Sequence, residues 1–218
     1  MIKHTPDFHH PRRNVPVVSV VVHTTGDTDL AKVIHYYTTS SQGICPHYVI
    51  DLDGNVHQFV DEDHVAYHAG YGGEGADNQE TLYRKGWDVW SRRINRAPWV
   101  LPDPYAGYAG WRVRWPGLNS PLELPLGEAP NGGSVGIELL SPKHRLPAVV
   151  TEGQYAAVAE LARGVAERHG IPWDHLHVVG HEDCNPIARS DLHGGWDPGV
   201  SRGFDWSRVL GDQPSAEV

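Results

Sequence analysis

The chain has 218 residues, 39% hydrophobic and 21% charged, enough apolar side chain for one compact domain with a core of its own. Eighteen basic residues against 27 acidic ones give a formal net charge of -9, the wrong sign for a surface that neutralises nucleic-acid phosphates, so no nucleic-acid partner is expected. No run approaches the roughly 20 apolar residues that span a bilayer, and MIKHTPDFHH lacks the apolar stretch of a Sec-type signal, which predicts a soluble chain.

Residues 1–16 are polar and proline-bearing, and predict an extended arm laid over the surface without chemistry of its own. The β-branched run Val17 to Val22 is apolar on both faces, which suits a central strand buried from both sides and ending at His23. Thr24, Thr25, Gly26 and Asp27 follow as turn and cap residues. Leu30, Val33, Ile34 and Tyr37 then recur at helical spacing. Two further apolar runs, His47 to Leu52 and Val56 to Val60, flank Asp53-Gly54, a dipeptide that supplies the positive backbone angles of a hairpin turn.

Residues 134–140 predict another strand, with Val135, Ile137 and Leu139 on one face and Gly136 and Glu138 on the other. Thr151 with Gln154 is a capping-box pattern, and the helical period that follows runs to a stop at Gly170. His177 to His181 predict a short strand that delivers a second histidine to a strand end. Residues 211–218 read as a mobile tail.

The segment of about 71–133 has no clean period and holds Trp87, Trp90, Trp99, Trp111 and Trp115 among prolines and glycines. It is too long for a structureless loop, and predicts an insertion with local helices. The expected architecture is therefore α/β: a mixed central β-sheet flanked by helices, one domain over 17–210, interrupted by a long Trp-rich insertion. The two cysteines, Cys45 and Cys184, make no disulfide framework and are expected as free, mostly buried thiols.

Fifteen histidines exceed what packing requires, so most are bystanders and each must be weighed by its place in the backbone. His23 and His181 stand out because strand ends in a mixed sheet converge on one rim, where loops build sites. Either one alone is more often a plain surface histidine.

The sequences around them carry more. Val21-Val22-His23-Thr24-Thr25, His47-Tyr48-Val49-Ile50-Asp51-Leu52-Asp53-Gly54, Tyr67-His68-Ala69-Gly70, Ser134-Val135-Gly136-Ile137-Glu138, Gly180-His181-Glu182-Asp183 and Asp197-Pro198-Gly199 occur in one order. In that order the chain resembles the zinc-dependent N-acetylmuramoyl-L-alanine amidases, a family that includes muropeptide-recycling enzymes, phage lysozyme-type amidases and peptidoglycan recognition proteins.

The resemblance implies Zn2+ held by His23, His181 and Asp197, with a fourth position open to water, the arrangement of catalytic rather than structural zinc. Asp191, His193 and Cys184 are rival third ligands, because the link from Gly180-His181 to Asp197-Pro198 is longer than the family pattern. Glu138 matches the family's catalytic base, against the plain reading of a strand glutamate facing solvent. Gly195 stands where many members carry a lysine, so His193 or Arg189 becomes the candidate second donor to the oxyanion. The resemblance also places His68, with His47 beside it, where they would bind the muropeptide. The alternative is that both are ordinary partly buried histidines.

The implied reaction is hydrolysis of the amide between N-acetylmuramic acid and the L-alanine of the stem peptide, with peptidoglycan or a soluble muropeptide as the partner. A phage lysin released to the cell wall and a cytoplasmic recycling enzyme both fit, and the insertion favours the lysin. The rivals are a peptidoglycan-binding module without catalysis and a glycosidase that uses two carboxylates.

Overall fold

The structure, a computed structural model, describes residues 1–14, 16–69, 131–142, 149–174, 177–181, 197–198 and 204–211. Most of the Trp-rich insertion and nearly all of the C-terminal tail lie outside them, as do Cys184, Arg189, Asp191 and His193.

Among the described residues one six-stranded mixed sheet organises the chain, with order β1-β4-β3-β5-β2-β6. Its strands are β1 (Ile2–Lys3), β2 (Ser19–Thr24), β3 (Tyr48–Ile50), β4 (Val56–Gln58), β5 (Ser134–Leu139) and β6 (Val178–Gly180). Helix α1 spans Leu30–Thr39, α2 spans Glu152–His169, and a short α3 spans Ser207–Leu210. The mixed sheet flanked by helices is the architecture expected from the sequence. No helix among the described residues is long and apolar enough to cross a membrane.

Strands β5, β2 and β6 are parallel: β2 pairs with β5 on one side and with the edge strand β6 on the other. Every residue of β2 and β5 is buried; the run Val17 to Val22 reads as apolar on both faces, whereas in β5 the face that carries Gly136 and Glu138 is covered as well. One face carries Val20, Val22, Val135, Ile137, Leu139 and Val178, packed against Tyr155, Val158, Ala162 and Val165 of α2. The opposite face carries Val49, packed in a second cluster with Val33 and Tyr37 of α1.

Local signals fix the ends of the elements. The β3–β4 hairpin turns at Gly54, whose φ of 86° an L side chain resists; a Cβ there would also lie 2.7 Å from the Gly153 carbonyl oxygen at the start of α2. The Thr151–Gln154 capping box is formed in both directions, and Gly170 closes α2 in the left-handed conformation.

Three expectations are corrected. β2 begins two residues later than its apolar run and includes His23 and Thr24, because the neighbouring β5 provides partners as far as Thr24↔Leu139. His177 stands before β6, not in it: its backbone N and Nδ1 both bond the Asp174 carboxylate, which caps the preceding turn. The N-terminal arm is extended but is a working part of the fold. Ile2–Lys3 adds a parallel edge strand to β4, and Arg13 is sewn into the interior.

Candidate functional site

Alternation along the parallel strands decides what the site contains. Because Val22 and Ile137 point into the α2 core, their successors His23 and Glu138 emerge on the other face. These two are direct register partners, and same-face neighbours on adjacent strands stand about 4.8 Å apart. His181 directly follows β6, so it is delivered to the same edge as the C-terminal end of β2.

Asp197 completes the cluster from a segment outside the sheet. Its Oδ2 lies 3.3 Å from His23 Nδ1 and 3.2 Å from His181 Nδ1. Its Oδ1 accepts from the Thr24 backbone N–H at 2.6 Å and the Thr24 hydroxyl at 3.1 Å. The three side chains are 0%, 1% and 3% exposed for His23, His181 and Asp197. Burial alone would raise the Asp197 carboxyl pKa, but the facing His181 and His23 imidazoles hold it well below the carboxylate range.

One donor atom from each of the three residues lies within 4.8 Å of the other two. In a tetrahedral zinc site with bonds of about 2.0–2.1 Å, neighbouring ligand atoms are about 3.3 Å apart, and the two nitrogen–oxygen separations match that edge. Two imidazoles and one carboxylate also match the borderline-soft character of zinc. The residues fit such an ion.

Glu138 is 8% exposed. Its charge is felt by its neighbours. Burial first, and then the Glu138 carboxylate, push both the Tyr37 hydroxyl and the Cys45 thiol upward. Cys45 is a buried free thiol, as expected from the sequence.

His68 and His47 are both buried, at 8% and 0% exposed. His68 places Nδ1 2.9 Å from His23 Nε2 and Nε2 3.1 Å from the Ser134 hydroxyl. Burial, and then the adjacent His23, lower its pKa well below the usual histidine value. His47 is fully buried; its Nδ1 accepts from Gly136 N–H at 3.0 Å, and its Nε2 lies 3.2 Å from the His64 carbonyl. Burial and the Arg13 guanidinium, 2.7 Å from Nε2, likewise keep it neutral.

The structure also brings in residues that the sequence did not single out for chemistry. Thr24 was read as a turn residue but anchors the Asp197 carboxylate. Arg13 donates to the carbonyls of Glu62, Asn131, Gly132 and Ser134, and so joins the arm to the start of β5. Only the adjacency of Thr24 to His23 was a usable signal; Arg13 sits in a stretch without periodicity.

Comparisons with known proteins agree with this geometry. The sequence profile of the N-acetylmuramoyl-L-alanine amidase family matches residues 13–200. No curated protein matches the sequence. Among solved structures, a selenomethionine AmpD derivative superposes with a TM-score of 0.54 at 19% identity, over 95% of this chain and 91% of its own. PlyL gives 0.54 at 12% identity, over 96% and 94%. The Escherichia coli N-acetylmuramyl-L-alanine amidase AmiD, in complex with an anhydro-N-acetylmuramic acid peptide, gives 0.55 at 19% identity, over 98% of this chain and 64% of AmiD. At these identities the superpositions establish the shared fold, while the profile spans most of the chain. The chain belongs to the N-acetylmuramoyl-L-alanine amidase family, and is an amidase directed at peptidoglycan.

Proposed function

We propose that the chain is a zinc-dependent hydrolase of the amide bond between the lactyl group of N-acetylmuramic acid and the L-alanine of the stem peptide. The observation that carries this reading is the convergence of His23 Nδ1, His181 Nδ1 and Asp197 Oδ2, with Glu138 on the neighbouring strand in register with His23. AmiD, which shares the fold, is known in complex with a ligand that contains this very bond, anhydro-N-acetylmuramic acid joined to L-Ala.

In this reading His23, His181 and Asp197 hold the ion. When bound, zinc supplies a Lewis acid that polarises the substrate carbonyl and acidifies water at neutral pH. Thr24 keeps the Asp197 carboxylate turned so that one oxygen remains for the ion. Glu138 is the base: a carboxylate oxygen takes a proton from the attacking water and returns it to the departing L-alanine nitrogen, splitting the amide.

Product analysis tests the assignment. Incubation with intact sacculi and with soluble muropeptides, with and without chelator, is expected to release new L-alanine amino termini only when zinc is present. Reducing ends in place of amines would indicate a glycosidase, and no product would indicate a binding module; either result contradicts the proposal. We favour the lysin role, which predicts release from intact sacculi; cleavage confined to soluble muropeptides would favour recycling.

A further inference from the structure

The strongest observation not used by the reaction is the position of His68. It comes from the segment after β4, yet its ring sits against β5 and beside His23, and it is 8% exposed. Three features hold it there. The backbone N–H groups of His68 and Ala69 both donate to Asn131 Oδ1, at 3.0 and 2.8 Å. Position 136 is glycine, and a Cβ at that point would fall 2.3 Å from His68 Cγ, so the ring occupies the space a side chain would need. Gly136 is itself fixed from the other side through its N–H to His47 Nδ1.

We propose that His68 is a positioning residue for the metal ligand His23, setting which nitrogen of His23 is free to bind the ion. This rests on the zinc reading above. His23 turns Nδ1 toward Asp197 Oδ2, so Nδ1 is the nitrogen on the metal side. A neutral imidazole with a bare Nδ1 carries its proton on Nε2 and must donate it. The acceptor within reach is His68 Nδ1 at 2.9 Å. His68 therefore carries its own proton on Nε2, which points to the Ser134 hydroxyl at 3.1 Å. The order of protons is fixed along the line His23, His68, Ser134.

A neutral acceptor has a consequence that a carboxylate would not. Metal-bound histidines commonly donate to a carboxylate or carbonyl, which fixes the tautomer and the ring orientation. A neutral imidazole orients His23 without a second negative charge, so Asp197 remains the single anion among these groups and a divalent ion there keeps a net positive charge.

The test uses the full chain and zinc itself. Zinc affinity, measured by competition with a chromophoric chelator, is expected to fall about 10- to 100-fold in His68→Ala. His68→Asn, whose Oδ1 replaces Nδ1 as the acceptor, is expected to recover most of the loss. A general packing role predicts no such rescue, so an Asn variant as weak as the Ala variant overturns the proposal, as does a His68→Ala variant that binds zinc like wild type. Should either variant fail to fold, long-range proton–nitrogen NMR of zinc-loaded wild type decides. Protons on Nε2 of both His23 and His68 are expected, and a proton on His68 Nδ1 overturns the proposal. A wild-type chain that binds no zinc overturns the metal reading, and this proposal with it; that result is distinct from wild-type binding with an unaffected variant.

Discussion

Around the site, the partners of the buried polar groups assign their tasks. Asp197 divides its oxygens between Thr24 and the two imidazoles. Glu138 belongs to the opposite strand of the same register pair and lies outside the cluster of metal-ligating atoms. Glu138→Gln is therefore expected to bind zinc as wild type while kcat falls by about 10²–10⁴, measured on a soluble muropeptide with zinc content checked in parallel. Wild-type turnover in that variant would remove Glu138 from the chemistry. Gly136→Ala is expected to displace the His68 ring and to cost roughly 1–3 kcal/mol in denaturant unfolding, as overpacking of a filled space does. Unchanged stability would mean that the ring moves aside freely.

At this scale the sequence revealed the residues that end strands. His23 and His181 stand at the ends of short apolar runs, and the face of Glu138 follows from the parity of Val135, Ile137 and Leu139. The depth of His68 and His47 was not legible, because it depends on the space left by Gly136 and on Asn131, residues distant in the chain. Arg13 was missed for a related reason: its partners are carbonyl groups, which every residue offers and no sequence pattern marks.

Elements marked by a contiguous pattern are legible in the sequence, and one that exists only by pairing is not. The Asp53-Gly54 hairpin and the Thr151 capping box depend on neighbours within four positions. By contrast β1 has two residues and exists only because β4 offers its edge. The ends of the elements are tied by Glu62, which follows β4. It accepts from Tyr48 Oη of β3 at 2.7 Å and from Arg168 near the end of α2 at 2.6 Å, and lies 2.7 Å from His169 Nε2.

Burial opposes ionisation of Glu62, but the Arg168, Tyr48 and His169 hydrogen bonds outweigh it and bring its pKa from 4.5 down to about 2. A folded-state pKa below the unfolded value means the stabilisation is complete above pH about 4.5 and is lost as pH falls toward about 2. Glu62→Gln is expected to melt below wild type at pH 7, with the gap narrowing across that acidic window. A gap that stays constant or widens there would show that the charge of Glu62 contributes nothing.

The whole molecule brings the site together by topology. The parallel arrangement of β6, β2 and β5 sends three C-terminal strand ends to one rim, the general location of sites in open α/β sheets. Asp197 reaches that rim from 174 positions beyond His23. The strand order could not be derived from periodicity, which records faces and not neighbours. The family motifs carry what periodicity lacks, because they put His23, His181 and Asp197 in one set, and these three lie together in the structure. The proposed chemistry depends on that set holding one ion. Diffraction at the zinc absorption edge, from crystals grown with zinc, is expected to give an anomalous peak about 2.0–2.2 Å from His23 Nδ1, His181 Nδ1 and Asp197 Oδ2. An empty density between these three atoms, or a zinc peak bound by other residues, would contradict it.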